Sequence, residues 1–286
     1  MNTQNMNWKL LNSPFNQGLN DALKQQYHAT QFIAMVGRHL IPQEADDSNT
    51  NMQYLPDQEL LAGNKLSSGL RLALHLTDLK LCFLDQAGKC KNGISLIGKS
   101  KLQVFEELKK TLSDLGIDVS KFKNELHYEI PAHDLDSGSS FSINNRGLFQ
   151  ENTNYRYNAE LIMNNLTTLY PNTSSVRVWP HHYDTGFLLS VAYNEKGELS
   201  KSIGLGWAIP DGMVNEPYYY LSFWSGKSDN NLKILPELPA GQWMIPNWNG
   251  GILMHSDILK AGSASEQHEL VKSFYHSGIN MIMDHF

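Results

Sequence analysis

The chain has 286 residues, 41% of them hydrophobic and 18% charged, the make-up of an ordinary globular protein with room for one large or two smaller domains. A formal charge of −6 leaves no basic excess for gripping a nucleic-acid backbone, so no nucleic-acid partner is expected. No apolar run reaches the length of a membrane span, and the Asn-rich start "MNTQNMNWKLLNSPFNQGLN" has no basic segment followed by an apolar one, so neither a membrane nor an export signal is expected.

In chain order, "GLNDALKQQYHATQFIAMVGRHL" predicts a helix with Leu23, Tyr27, Ala34 and Val36 on its apolar side. "NMQYLP" is a short strand ended by Pro56. "GLRLALHLTDLKLCFLD" alternates and turns near Thr77 and Asp78, which gives two strands. "GISLIGKS" is a further strand. In "KLQVFEELKKTLSDLGI" the stripe Leu102, Phe105, Leu108, Leu112 and Leu115 predicts a helix, with Gly116 placed to end it. "NELHYEIP" reads as a strand and "DLDSGSSFSINN" as a connector. The order then restarts. A helix is expected over "YRYNAELIMNNLTTLY", then strands at "SSVRVWP", "KSIGLGWAIP", "EPYYYLSFW" and around the "NWNGG" turn. A last helix begins near Ser263, whose pairing with Glu266 would form a capping box.

This recurrence of helix, strands and helix, with "NMQYLP" and "VRVWPH" in equivalent places about 120–130 residues apart, suggests two related α+β halves, 1–135 and 136–286. The alternatives are one continuous domain, or a chance recurrence of common elements. The expected class is α+β, mainly antiparallel sheet with helices packed on one face.

Cys82, inside the apolar "LKLCFLD", reads as a small buried hydrophobe, and Cys90 falls in the turn "DQAGKCKNG". Their spacing matches no metal pattern and two cysteines make no disulfide framework, which points to a reducing, cytoplasmic home.

The densest chemistry is in "VRVWPHHYDTG", Val176 to Gly186. If the strand continues through it, His182 and Asp184 share one face, and Arg177, Trp179, His181 and Tyr183 the other. One reading makes His182 and Asp184 metal ligands for Zn, Mn or Fe, with Glu216, Asp211 or His255 as the third. Another makes Asp184 the partner that orients His182 as a metal-free general base, with His181 beside it. A third leaves one histidine on backbone and the other in water, with Asp184 capping the turn. Rings crowd the second half of the chain. Trp179, Tyr183, Trp207 and Trp248 are candidates to line a pocket for an apolar or sugar-like ligand, and a large aromatic core explains the same rings. "LHYEIPAHD", with His127, Glu129, His133 and Asp134, ranks second as a site. His28 and His75, inside periodic apolar segments, read as hydrogen-bonded core or boundary histidines rather than as ligands. No nucleophile elbow, Walker loop or dinucleotide fingerprint is present.

The segments "GLRLAL", "LHYEIP", "VRVWPHHYDTG", "SIGLGWAIPDGMVNEPYYY" and "GGILMHSDIL" resemble an uncharacterised bacterial family of unknown function, whose most recognisable part is a W-P-H-H-[FY]-D block. The resemblance implies that His181, His182 and Asp184 are residues to test, and supplies no substrate. The functional expectation is a small-molecule-binding protein acting as a metal-assisted or His/Asp acid–base enzyme of hydrolase type. The alternative is a non-catalytic module that binds a ligand or protein through exposed rings.

Overall fold

The computed structural model describes residues 7–226 and 235–285. They form an α+β protein with two antiparallel sheets, divided between two compact, interleaved units. The first unit is Asn16–Thr153 with Arg177–Tyr183. The second joins the residues up to Phe15 to Asn154–Val176 and to the chain from Asp184 onward. The division is therefore not a single cut between 135 and 136. Among the described residues no helix is long and apolar enough to cross a membrane.

The first unit opens with α1, Gln17–Leu40, whose N-terminus is capped by the Asn16 side chain accepting from the Leu19 N–H at 3.0 Å. Leu19, Leu23, Tyr27, Ala34 and Val36 are buried, as the periodicity predicts. The sheet runs in chain order: β1 (Gln53–Leu55), β2 (Leu60–Ala62), β3 (Arg71–His75), β4 (Lys80–Leu84) and β5 (Cys90–Ser95). α1 packs on β3. On one face the register lines up Leu60, Ala62, Ala73, Cys82 and Leu84 as a buried apolar cluster, with Cys90 packed at its edge. Cys82 and Cys90 are disulfide-bonded, which corrects the expectation of two unpaired thiols and removes the argument from them to a reducing compartment.

α2, Lys101–Asp114, starts in a capping box between Ser100 and Gln103, and Gly116 (φ +76°) ends it in a conformation that glycine adopts without a Cβ penalty. Its buried face is Val104, Phe105, Leu108 and Leu112. Leu102, expected on that stripe, is 59% exposed, because the helical rotation places it about 100° around the helix from the centre of the buried face.

"NELHYEIP" forms no strand. Its polar groups go to side chains rather than to a neighbouring ladder. Glu125 C=O bonds the His39 ring at 2.9 Å, the His127 ring meets Asp47 at 2.9 Å, and the Tyr128 hydroxyl donates to Gln31 at 2.8 Å. α3 runs Arg146–Leu169, starting earlier than its apolar pattern showed, and the unit boundary falls within it. The short β6, Arg177–Trp179, belongs to the first unit, where Val178 bridges Met52.

The second unit carries β7 (Asp184–Tyr193), β8 (Leu199–Ala208), β9 (Tyr218–Ser225), β10 (Gln242–Trp243) and β11 (Gly250–Met254), paired in the order β10-β11-β9-β8-β7. Two helices follow, the one-turn α4 (His255–Ile258) and α5 (Ala264–His285). Ser263 Oγ accepts from the Glu266 N–H at the start of α5. Phe187, Leu205, Trp207, Tyr219 and Leu221 fill the buried face of this sheet, and Tyr275 of α5 donates its hydroxyl to Gly206 C=O at 2.7 Å. On the opposite face Gly186 and Gly206 lie under the Tyr220 ring. A Cβ on Gly206 would sit 2.5 Å from the Tyr220 hydroxyl, so only glycine admits that ring.

Candidate functional site

The strand that begins at Arg177 does not continue through the His-His pair. Trp179 C=O accepts the Tyr183 N–H at 2.7 Å, closing Pro180–Tyr183 into a tight turn, and Tyr183 takes the left-handed conformation at φ +54°. Alternation of faces is therefore lost, and the His181 and His182 rings lie side by side with centroids 4.4 Å apart. The turn is fixed to α1 through its carbonyls. Tyr27 donates its hydroxyl to His181 C=O at 2.7 Å, and the Gln31 side-chain amide donates to Pro180 C=O at 3.1 Å. Tyr183 stacks on Tyr27 at 5.1 Å and is buried, so it faces α1 and not a ligand. His182 is exposed, while His181 is half-buried, edge-on to Tyr128 and to the half-buried Trp179.

The other expected site residues, all in the second unit, have structural partners. Asp184 accepts the Tyr220 hydroxyl at 2.7 Å, and burial, with the Asp184 charge, raises the Tyr220 pKa well above its ordinary value. Both oxygens of Glu216 are engaged by Ser256, one by its N–H at 2.7 Å and one by its hydroxyl at 2.9 Å, which caps α4. Asp211 accepts the Tyr218 hydroxyl and the Met213 and Val214 N–H groups. The His255 ring meets Tyr155 at 2.7 Å and Ser13 C=O at 3.0 Å. Trp207, expected to line a pocket, is 1% exposed, stacked on Tyr155 and covered by the Arg156 guanidinium at 5.0 Å. Alternation along β8 sends it inward. Trp248 is half-buried against Tyr220. Among the described residues the one group of three His, Cys, Asp or Glu side chains that could hold a metal ion is His75, Cys82 and Cys90.

Two of the concave sites in the first unit gather buried or half-buried charged side chains. A groove of about 390 Å³ runs beside α1, lined by Gln31, Lys101, Tyr128 and Asp136 among others. The connector that ranked second in the sequence builds its wall, through Tyr128 rather than through the histidines and carboxylates first singled out. Behind it the His28 side chain has no exposed surface. Its Nε2 meets Pro131 C=O at 3.2 Å and its Nδ1 meets Lys101 Nζ at 3.3 Å, partners that assign the neutral ring with the proton on Nε2. Burial, then the Lys101 charge, lower its pKa to about 4. Lys101 also donates to Asp136 at 2.6 Å, and the His133 ring lies 5.2 Å from that of His28.

The second is a pocket of about 320 Å³ formed by Asn51, Gln53, Asn64, Lys65, Arg71 and Arg177. It gathers three cations and no carboxylate among its described lining residues. Arg71 donates from Nε to Gly63 C=O at 2.7 Å, and from a terminal nitrogen to Ala62 C=O and the Gln53 side chain, all neutral oxygens. Burial first, and then the Arg177 charge, lower the Arg71 pKa from its ordinary value. In the sequence, alternation marks both arginines only as the polar side of a strand. Arg177 nevertheless stands inside the "VRVWPHHYDTG" segment. No family model matches the chain, and neither a curated protein nor a solved structure is similar enough to it to show a relationship.

Proposed function

We propose that the chain is a small-molecule-binding protein and that it takes an anionic ligand, a small phosphate or carboxylate compound, in the pocket of Arg71, Arg177 and Lys65. The observation that carries this reading is the approach of two guanidinium groups in one concave site on a chain whose overall charge is −6. Like charges brought together raise the energy of the free site, and an anion between them lowers it. Guanidinium forks suit the two oxygens of a carboxylate or phosphate. The volume is at the lower end for a ligand pocket and fits a compact compound. Strands β1, β3 and β6 supply Gln53, Arg71 and Arg177, so these side chains project from fixed backbone.

The test is calorimetric titration at low salt with inorganic phosphate and with a small dicarboxylate such as malonate. Saturable binding of one of them is expected, weakened at least tenfold in Arg177→Gln and in Lys65→Ala. Failure of both anions to bind, or unchanged binding in Arg177→Gln, overturns the reading.

A second reading, a metal-free acid–base enzyme of hydrolase type, is favoured by the groove beside α1. There a buried, neutral His28 presents Nδ1 to Lys101, and Asp136 holds the same ammonium group. In this reading Lys101, which lines the groove, is the group that exchanges a proton with the substrate, and the buried His28 positions it.

A further inference from the structure

Cys82, Cys90 and His75 lie on one face of the first sheet. The register sets Ala73 opposite Cys82 and Leu84 opposite Cys90, and His75 shares its face with Ala73, two residues before it on β3. One ligand atom from each of the three lies within 4.8 Å of the others, and His75 Nε2 is 3.7 Å from Cys90 Sγ. We propose that this cluster is a redox-gated zinc site, closed as a disulfide when oxidised and holding one Zn²⁺ through two thiolates and the imidazole when reduced.

The chemistry of the donors selects the metal, because thiolate with imidazole is the set that zinc prefers over Mg²⁺, Ca²⁺ or Mn²⁺. The geometry is close to what the ion needs. Zn–S bonds of about 2.3 Å and Zn–N bonds of about 2.0 Å in a tetrahedron place neighbouring donor atoms about 3.5–3.8 Å apart. The His75–Cys90 edge already has that length. A Cα separation of 5.6 Å between Cys82 and Cys90 lets side-chain rotation part the sulfurs without moving a strand. The three donors sit on adjacent, hydrogen-bonded strands. Cys82 is buried, whereas Cys90 and His75 are partly exposed, so the fourth coordination position opens on the solvent side for water.

The two states exclude each other, because a sulfur in the S–S bond carries no thiolate charge to give a metal. Reduction adds two electrons and two protons to the disulfide and yields two thiols. Zinc then displaces both thiol protons, and the neutral His75 adds its lone pair. In the reverse direction the thiolates exchange with a small-molecule disulfide. The S–S bond re-forms, the two electrons leave on two small thiols, and the ion is released.

To test this, the whole chain is reduced with a tertiary phosphine, desalted without air and titrated with Co²⁺, then with Zn²⁺. One Co²⁺ per chain is expected, with a thiolate-to-cobalt band in the near ultraviolet and the visible bands of a tetrahedral ion. Zn²⁺ should displace it, and oxidised glutathione should then release the zinc. The oxidised chain should show no such band. Cys90→Ser should lose it, and His75→Ala should weaken zinc binding at least tenfold. Cys90 is chosen over Cys82 because its partial exposure lets the variant keep its fold, which far-UV circular dichroism checks. The proposal is overturned by a folded, reduced chain with no thiolate band, by a band that survives in Cys90→Ser or in the oxidised chain, or by a reduced chain that unfolds and is not refolded by zinc.

Discussion

His28 shows how a single buried group sets a pH dependence. The unfolded chain takes up a proton there near pH 6.5, while the folded chain does so only near pH 4. Between these values the unfolded state binds more protons, so stability is complete above about pH 6.5 and is lost as the pH falls toward 4. The whole loss is about 3 kcal/mol for a shift of this size. Urea unfolding of the wild type and of His28→Gln between pH 7.5 and 4 isolates the effect from the other histidines. The stability advantage of the wild type should shrink steadily on acidification, and parallel profiles would show that His28 is not the group responsible. The sequence already marked His28 as a hydrogen-bonded core or boundary histidine, because an isolated ring inside a periodic apolar helix has few other ways to be stable. Arg71 and Arg177 carried no comparable mark. Each is a charged residue on the polar side of a short strand, and only the fold brings two such strands to one pocket.

At the scale of elements, the tight turn after β6 depends on α1 for its shape. Tyr27 serves it twice, by the hydroxyl on His181 C=O and by the ring stacked on Tyr183. Tyr27→Phe keeps the ring and removes the hydrogen bond, and should cost about 1–3 kcal/mol for the carbonyl left without its donor. Thermal and denaturant unfolding measure this, and a variant as stable as the wild type would show that water replaces the hydroxyl. Long helices and alternating hairpins were legible in the sequence because their period repeats over several turns or pairs, as in α1, α2, β3 and β4. β2 was not, since its three residues, all buried, show no alternation. β7 was hidden by the turn before it, because a proline, two histidines and a left-handed tyrosine break the pattern from which a strand is read. "NELHYEIP" failed in the opposite sense. It has the alternation of a strand, but its rings and carbonyls are held by α1 and by the loop carrying Asp47. Of the segment that the sequence singles out, His182, its most prominent side chain, points to solvent, whereas Arg177, four residues before His181, lines a pocket.

For the molecule as a whole, the sequence correctly announced α+β architecture with antiparallel sheets, whereas the path of the chain between units could not be read from it. Both sheets run largely in chain order, as duplicated halves would, but short hairpin connections favour that topology in any antiparallel sheet. The interleaving has a direct consequence for fragments. Residues 1–135 lack β6 and the Asp136 partner of Lys101. Residues 136–286 lack Trp8 and Leu11, both buried in the second unit. Neither piece should fold alone, and dispersed amide resonances from either one by itself would contradict the division into units.

Within the second unit, Gln267 joins α5 to the segment of Trp8 and Leu11. Its side-chain oxygen accepts the Trp8 indole N–H at 3.2 Å and the Leu11 N–H at 3.0 Å, and its amide donates to Leu11 C=O at 2.9 Å. One glutamine near the start of α5 thus satisfies three polar groups of the opening segment. During synthesis, Trp8 leaves the ribosome 259 residues ahead of this partner. This aromatic, hydrophobic stretch therefore has to do without its Gln267 partner until 259 further residues have been made. A holding chaperone that recognises "NWKLL" has the most to protect during that interval.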